Sequence, residues 1–335
     1  MEYRVLGKTG LQISRMGFGG IPIQRIDAEG TKQLVHQMKA AGVNFIDTAR
    51  AYTVSEEYLG YALEGIREDF VLATKGRGRT KADMAADIDK SLKNLRTDYI
   101  DLYQMHNVTP EEFPKVMEPG GALEALMEAK AAGKIRHIGV TAHSLDTFAM
   151  ALEQDWVETI MFPYNIVETQ AEALIAKAAE KNIGFICMKP LAGGAIEDAA
   201  LALRYVCANP NVTVVIPGMA EAKELEQYLA AASDTSQLKQ EEKAGFLKIR
   251  SDLGTQFCRR CNYCQPCSVG IGISSAFLFD GYLQRYGLRD WAIERYMGMN
   301  KKASDCIGCG ACEQRCPYQL PIRKMLAEVA AHFGK

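Results

Sequence analysis

The sequence lacks several features that would place it in common classes of protein. It has no apolar run of transmembrane length and no apolar core of a signal peptide near its start. Its formal net charge is only −2, so it has no excess of positive charge for binding nucleic acid or an anionic membrane surface. We therefore expect a soluble, cytoplasmic protein with no nucleic-acid or membrane partner.

Cysteine is nearly absent from most of the chain and then becomes frequent. Only Cys187 and Cys207 precede residue 258, and the other eight of the ten cysteines lie between residues 258 and 316. Most of these eight are separated by two residues, a spacing that favours metal or cluster ligation over disulfide bonds. The chain of 335 residues is also longer than one ordinary domain.

Short apolar runs alternate with amphipathic stretches before the cysteines begin. Tyr3–Leu6 and Leu11–Ser14 read as the arms of a β-hairpin that turns at residues 8–10. The apolar runs predicted to be barrel strands are 16–19, 44–47, 70–74, 99–104, 137–140, 159–162, 184–188 and 212–216. Helical patterns between and after them include 31–41, 82–95, 122–132, 171–180 and 221–231.

Eight strand–helix repeats predict an α/β protein with a (β/α)8 TIM barrel. A doubly wound open sheet is the alternative, and the repeat count and the lack of a strand-linked G-x-G-x-x-G motif favour the barrel. The composition changes after residue 232, so we assign 1–240 to the barrel and 241–335 to a smaller domain. Residues 276–286 and 322–331 of that domain are predicted to be helical.

Titratable residues follow three successive predicted strands. Strand 2 ends in FIDTARAY, which contains Asp47 and Tyr52, strand 3 ends in VLATKG with Lys75, and strand 4 ends in DLYQMHN with His106. The functional site of a (β/α)8 barrel lies at the C-terminal ends of its strands. These four residues can therefore meet at one rim, whereas the role of His143 after strand 5 stays open.

The motifs YRVLGKTGLQISRMGFGG, FIDTARAY, ATK, YQMHN and IPGMAEAKELEQYL resemble the aldo-keto reductase family in sequence and order. The resemblance implies a catalytic tetrad of Asp47, Tyr52, Lys75 and His106. The chemistry agrees, because carbonyl reduction needs a hydride donor and a proton donor. A phenol is a weak acid unless an adjacent ammonium stabilises its anion. Lys75 would do this for Tyr52, Asp47 would keep Lys75 charged, and His106 would orient the carbonyl.

The resemblance also implies a nicotinamide cofactor, NAD(P)H, across the same rim. The contacts that it implies are Gly20, Ile21, Asp47, Thr141, Asn165, Lys189, Leu191, Gly218, Lys223 and Glu224. This sequence differs from many relatives in having Thr141-Ala142 where Ser-Asn is common. It also has Met188 where a tyrosine commonly stacks on the nicotinamide.

The adenosine end of the predicted cofactor site carries a further departure. Glu224 stands where relatives that prefer the phosphorylated cofactor often have arginine. A carboxylate repels a 2′-phosphate but can accept hydrogen bonds from a ribose diol. Although Lys223 partly offsets this charge, the pattern favours NADH over NADPH.

The cysteine-rich segment contains two runs with ferredoxin spacing. FCRRCNYCQPC carries Cys258, Cys261, Cys264 and Cys267, and CIGCGACEQRCP carries Cys306, Cys309, Cys312 and Cys316. In two-cluster ferredoxins the fourth cysteine of each run ligates the other cluster. We therefore predict two [4Fe–4S] clusters, one on Cys258, Cys261, Cys264 and Cys316 and the other on Cys306, Cys309, Cys312 and Cys267. Structural zinc is the alternative, but its sites usually use separated CxxC pairs.

The whole chain resembles a branch of the aldo-keto reductases with a C-terminal, α-helical ferredoxin-like domain. That resemblance implies an oxidoreductase that interconverts an aldehyde or ketone and its alcohol, with a small molecule as its substrate. The predicted clusters would suit a redox protein partner. The alternative is a redox-sensing or electron-transfer subunit that docks to a partner oxidoreductase. An intact tetrad favours the enzyme.

Overall fold

The computed structural model describes residues 1–334, and these begin with a short antiparallel hairpin. Its strands are β1 (Tyr3–Val5) and β2 (Gln12–Ser14), which pair with Arg4 opposite Ile13. Gly10 closes the turn with a φ of 72°, a left-handed conformation that glycine adopts without steric cost. The hairpin predicted from the sequence is confirmed.

Eight parallel strands follow and form the barrel. In chain order, β3 to β10 are Phe18–Gly19, Phe45–Asp47, Val71–Gly76, Ile100–Met105, Ile135–Thr141, Thr159–Pro163, Gly184–Met188 and Val214–Ile216. Each strand pairs with the next one in the sequence, and short parallel bridges join Met16 to Val215 and Gly19 to Gly218. These bridges connect β3 to β10, so the sheet closes on itself. The predicted (β/α)8 barrel is confirmed.

Helices connect the strands and surround the barrel. In chain order, α1 to α8 are Ala28–Ala40, Ser55–Ala62, Lys81–Leu95, Ala122–Ala131, Leu145–Leu152, Glu172–Glu180, Ala199–Cys207 and Ala222–Ser233. Side-chain caps define several starts, because an oxygen that accepts a free N–H of the first turn stabilises the helix end. Asp27 accepts a hydrogen bond from Gly30 N at 2.7 Å at the start of α1, three residues before the predicted start.

The hairpin closes the N-terminal end of the barrel, opposite the strand ends that carry the predicted site. Leu6 and Ile13 of the hairpin are fully buried in one apolar cluster with interior barrel residues, including Phe45 and Leu102. The backbone of Gly184, at the start of β9, approaches so closely that a Cβ there would lie 2.6 Å from the Leu6 side chain. Close packing of the hairpin therefore leaves the opposite rim as the open end.

The chain divides into two compact units. The first comprises Met1–Asn165, Thr169–Pro190 and Asp198–Leu238, and the second comprises Ile166–Glu168, Leu191–Glu197 and the residues from Lys239 onwards. Two short segments that follow β8 and β9 in the sequence thus group with the second unit. The domain limits of 1–240 and 241–335 stay a prediction.

The second unit is helical. Its helices α9 to α13 are Gln240–Leu253, Ile273–Gln284, Arg289–Met297, Ala311–Arg315 and Ile322–Phe333. Tyr296 anchors its core, because its ring stacks on Phe333 at 3.9 Å and its hydroxyl accepts a hydrogen bond from Ala303 N at 2.9 Å. The helical character expected between the two cysteine runs is confirmed by α10 and α11. Within residues 1–334, none of the helices has the length and apolar character needed to cross a membrane.

Candidate active site and cluster-binding cysteines

A polar layer lies above the apolar interior of the barrel. Alternate residues of a strand face the same side of a sheet. Three neighbouring strands each place an apolar residue in the interior and a polar residue two positions later: Phe45 then Asp47, Ala73 then Lys75, and Leu102 then Gln104. The three polar residues are buried and lie at the C-terminal ends of β4, β5 and β6.

Lys75 and Asp47 are held together within this layer. The Lys75 ammonium donates hydrogen bonds to an Asp47 carboxylate oxygen and, at 2.6 Å, to the carbonyl of Thr48. Gln104 Nε2 donates to the second Asp47 oxygen at 3.0 Å. Burial lowers the pKa of Lys75, although the Asp47 charge opposes this effect. Burial likewise raises the pKa of Asp47, against the opposing charge of Lys75.

Tyr52 and His106 lie beside this ion pair. The two rings meet edge to face, with centroids 6.0 Å apart and an interplanar angle of 89°. Lys75 Nζ lies 5.2 Å from the centroid of the Tyr52 ring. The structure thus brings together all four residues that the sequence analysis assigned to one rim.

The surroundings of His106 favour its neutral form. Burial is the main reason that its pKa lies well below the usual range, and the charges of Lys75, Arg77, Arg79 and Lys189 lower it further. Two buried polar atoms, His106 Nδ1 and Gln104 Oε1, have no hydrogen-bond partner anywhere in residues 1–334. Because buried polar groups are nearly always paired in folded proteins, these two atoms leave hydrogen-bonding capacity for a polar ligand at the rim.

A buried carboxylate behind the rim was missed by the sequence analysis. Glu56, at the start of α2, is 1% exposed and accepts hydrogen bonds from Thr74 at 2.8 Å and Ser91 at 2.7 Å. Arg50 and Asn94 donate to its other oxygen at 2.9 and 3.2 Å. These bonds anchor both the residue before Lys75 and the loop that carries Tyr52. The sequence has no local signal for this role, since a glutamate in a first helical turn is usually exposed.

The predicted nicotinamide contacts of the first unit lie at strand ends, on the loops that follow the strands, or in the first turn of α8. Gly20 N donates to Asp47 O at 2.8 Å, and Thr141 Oγ1 accepts from Asn107 N at 2.7 Å. Asn165 is fully buried, and its Nδ2 donates to Lys189 O at 3.0 Å. Ile21 immediately precedes a short 3-10 helix, and Gly218 takes part in the bridge to β3. Leu191 belongs to the second unit.

Glu224 has a structural role that its position in the sequence did not reveal. Its Oε2 accepts hydrogen bonds from Ala220 N at 2.7 Å and Glu221 N at 3.1 Å, and these bonds cap α8. Its Oε1 lies 3.7 Å from a guanidinium nitrogen of Arg25. Lys223 is exposed. The carboxylate therefore stabilises a helix start and partly neutralises Arg25.

The eight clustered cysteines of the second unit line two hollows. One hollow is lined by Cys258, Cys261, Cys264 and Cys316, and the other by Cys267, Cys306, Cys309 and Cys312. Each set thus combines three cysteines of one run with the fourth cysteine of the other run. Ile273, at the start of α10, lines both hollows.

The donor chemistry of these hollows fits iron–sulfur clusters. Their cysteines are free thiols, and apolar side chains such as Leu326 and Phe277 complete the walls. Four thiolates are the usual ligands of a [4Fe–4S] cluster. Among residues 1–334, no three His, Cys, Asp or Glu side chains are placed to hold a single metal ion.

Comparison with known protein families agrees with both parts of the chain. Residues 15–200 match the aldo/keto reductase family, and residues 257–321 match a 4Fe-4S dicluster domain. Because the first match covers more than half of the sequence, the chain belongs to the aldo/keto reductase family. It is an oxidoreductase of that family that carries an iron–sulfur domain.

Individual relatives are similar to part of the chain. L-galactose dehydrogenase of Arabidopsis thaliana is 28% identical over 292 residues, which cover 71% of this chain and 90% of the relative. Aldo-keto reductase YhdN of Bacillus subtilis is 34% identical over 226 residues, 59% of this chain and 66% of the relative. The holo structure of aldo-keto reductase AKR11C1 from Bacillus halodurans has a TM-score of 0.65 and 25% identity, over 74% of this chain and 96% of that one.

Proposed function

We propose that the protein is a nicotinamide-dependent oxidoreductase that interconverts a carbonyl compound and its alcohol. A bound nicotinamide would supply or accept the hydride, and the protein would supply or accept the accompanying proton. The observation that carries this proposal is the convergence of Tyr52, Lys75, Asp47 and His106 at one rim. Membership of the aldo/keto reductase family supports the same reaction class.

Tyr52 is the proposed proton donor in the direction of reduction. The charge of Lys75, 5.2 Å from the Tyr52 ring, favours the phenolate that remains after the proton has moved to the carbonyl oxygen. Asp47 holds Lys75 in position and balances its charge. A neutral His106 donates one N–H to the same oxygen and so orients the substrate.

NADH is the proposed form of the cofactor. Gly20, Ile21, Thr141, Asn165, Lys189 and Gly218 would hold it at the rim of the first unit. The Glu224 carboxylate at the start of α8 disfavours a second negative charge nearby, and it also offsets the charge of Arg25. Both effects weaken the binding of a 2′-phosphate.

Two [4Fe–4S] clusters are the proposed contents of the two hollows, with the cysteine sets that line them as ligands. We propose that these clusters exchange electrons with a redox protein and do not reduce the carbonyl. Cys309 is exposed, and Ile307 in the same sequence run is 67% exposed, so both are accessible to a partner. A cluster transfers single electrons, whereas hydride carries two, and the chain has no recognisable flavin motif to convert one into the other.

A direct experiment separates the clusters from the carbonyl chemistry. The clusters are reduced chemically in the absence of nicotinamide, and a carbonyl substrate already shown to turn over is then added. We expect the visible spectrum of the reduced clusters to persist. Stoichiometric reoxidation with alcohol formation would show that the second unit supplies electrons to the active site.

An anaerobic assay of carbonyl compounds with NADH and with NADPH tests the activity itself. One relative is named L-galactose dehydrogenase, so sugar substrates belong in the panel beside simple aldehydes and ketones. We expect turnover with at least one substrate and a preference for NADH. Nicotinamide binding without turnover across the panel would instead favour a redox-sensing or electron-transfer subunit.

A further inference from the structure

Arg260 lies between two predicted ligands of the first hollow and is tied to one of them. Its backbone N–H donates to Cys258 Sγ at 3.4 Å, and a guanidinium nitrogen donates to the Cys258 carbonyl at 3.2 Å. The backbone has a φ of 59°, a conformation that is costly for a residue with a side chain. The contacts of Arg260 thus keep a positive charge beside Cys258.

Glu168 opposes that charge. Its carboxylate accepts a hydrogen bond from Arg260 Nη2 at 2.9 Å, and the pair is buried, with 0% of the Glu168 side chain and 11% of the Arg260 side chain exposed. Both residues belong to the second unit. Solvent screens buried charges only weakly. Each charge of this pair therefore acts on neighbouring groups more strongly than an exposed charge would.

A second ion pair accompanies the other hollow and differs in exposure. Glu313 follows the ligand Cys312 directly and pairs with Arg323 at 2.8 Å. There the Arg323 side chain is 52% exposed and the Glu313 side chain 23% exposed. Solvent therefore screens these charges more effectively than those of Glu168 and Arg260.

Charges and N–H groups beside an iron–sulfur cluster set its reduction potential. Reduction adds one electron to a cluster, so a nearby cation and hydrogen bonds to sulfur favour the reduced form, and a nearby anion opposes it. Arg260 supplies both favourable features at Cys258, and Glu168 supplies the opposing charge.

We propose that Glu168 tunes the cluster held by Cys258, Cys261, Cys264 and Cys316, because it offsets the positive charge of Arg260 and so lowers the reduction potential of that cluster. Glu168 is a positioning and charge-balancing residue, since it acts through Arg260. The second cluster has no buried counterpart of this pair among the contacts described for its hollow. The inference rests on the proposed clusters but not on the proposed carbonyl chemistry.

The test is a redox titration of the complete, cluster-loaded protein, followed by electron paramagnetic resonance without nicotinamide or carbonyl substrate. Glu168→Gln removes the charge but keeps a side chain of the same shape. We expect the reduction equilibrium of one cluster to shift at least tenfold toward the reduced form, about 59 mV for a one-electron couple, and that of the other to stay unchanged.

Glu313→Gln is the matched control, because it makes the same chemical change in the exposed ion pair. It should leave the Glu168-sensitive signal at its wild-type potential. Glu168→Asp keeps the charge but withdraws it from Arg260, so a smaller shift in the same direction is expected. This variant also serves as the test if Glu168→Gln fails to take up iron.

Unchanged potentials in both Glu168 variants would overturn the proposal. Equal shifts of both clusters would also overturn it, because that result would indicate a general change in the second unit. The titration involves no hydride transfer, so an enzyme that reduces no carbonyl would still give a clear result.

Discussion

Lys75 and Asp47 form a buried ion pair across neighbouring strands of the barrel, with only 2% and 4% of their side chains exposed. Removing charged groups from water is costly, and each charge here compensates the other. The pair also lies against Tyr52, whose ring centroid is 5.2 Å from the Lys75 ammonium. A single arrangement thus leaves neither buried charge uncompensated and supports the proposed acid–base chemistry.

Replacing Tyr52 by phenylalanine should remove the proton donor and leave the rest of the rim intact. We expect kcat for carbonyl reduction to fall by about 10²–10⁴-fold, with little change in nicotinamide affinity. Steady-state kinetics and fluorescence titration of the cofactor measure the two effects. Tyr58→Phe, a change on α2 outside the proposed site, is the control. Wild-type turnover in Tyr52→Phe would disprove the assignment.

Removing Lys75 alone should destabilise the protein as well as inactivate it. Lys75→Met leaves Asp47 buried without its counter-charge, which we expect to lower the free energy of unfolding by about 3–5 kcal/mol. The double variant Asp47→Asn/Lys75→Met carries no buried charge at this position, so it should regain most of the stability but not the activity. Urea unfolding and a turnover assay separate these outcomes. A Lys75→Met protein as stable as the wild type would contradict the buried ion pair.

Acid should destabilise the protein partly through His106. Its pKa in the folded protein is lowered by burial and by four nearby cations, whereas the unfolded chain takes up the proton near pH 6.5. The contribution of the neutral His106 to the free energy of unfolding is therefore fully present above about pH 6.5. It falls as the pH drops below that value. Urea unfolding between about pH 7.5 and 5.5 should show a shallower fall for His106→Gln. His36→Gln, at an exposed position on α1, should keep the wild-type slope, and equal slopes in all three proteins would refute the prediction.

Cofactor preference should respond to Glu224. Glu224→Gln keeps an oxygen that can cap α8 but removes the charge beside Arg25. We expect the ratio of NADPH to NADH affinity to rise on the order of tenfold, because Arg25 becomes available to a 2′-phosphate. Binding titrations of Glu224→Gln and of Glu226→Gln, an exposed control on the same helix, measure the change. An unaltered ratio would place the adenosine end of the cofactor elsewhere.

Metal analysis tests the contents of the second unit. Anaerobically purified protein should contain about eight iron and about eight sulfide per chain, as two [4Fe–4S] clusters require. Half of that iron content would mean one cluster. Zinc without sulfide would replace the iron–sulfur interpretation with a structural zinc site.

Periodic patterns in the sequence were sufficient to predict the architecture of the barrel. The alternation of apolar runs with amphipathic stretches identified all eight barrel strands, because the burial of a strand or a helix face imposes a local repeat. The largest errors were at boundaries. Met16 contributes only a bridge before Phe18–Gly19, and β5 extends two residues past the predicted end to include Lys75 and Gly76. Tertiary pairing, which is not encoded in a local repeat, sets such ends.

The candidate site was only partly visible in the sequence. Asp47, Tyr52, Lys75 and His106 could be selected because strand ends of a barrel converge at one rim, a rule that needs no coordinates. The two cysteine sets followed in the same way from their spacing.

Other features were decided by the tertiary structure alone. Gln104 contacts Asp47, Glu56 is buried behind Lys75, and Glu168 is paired with Arg260 across 92 positions of the chain. A glutamate or glutamine has the same local appearance in a sequence whether it is solvated or buried. Its role depends on which distant groups the fold places beside it, because burial and charge partners, rather than residue type, determine the energy of a carboxylate.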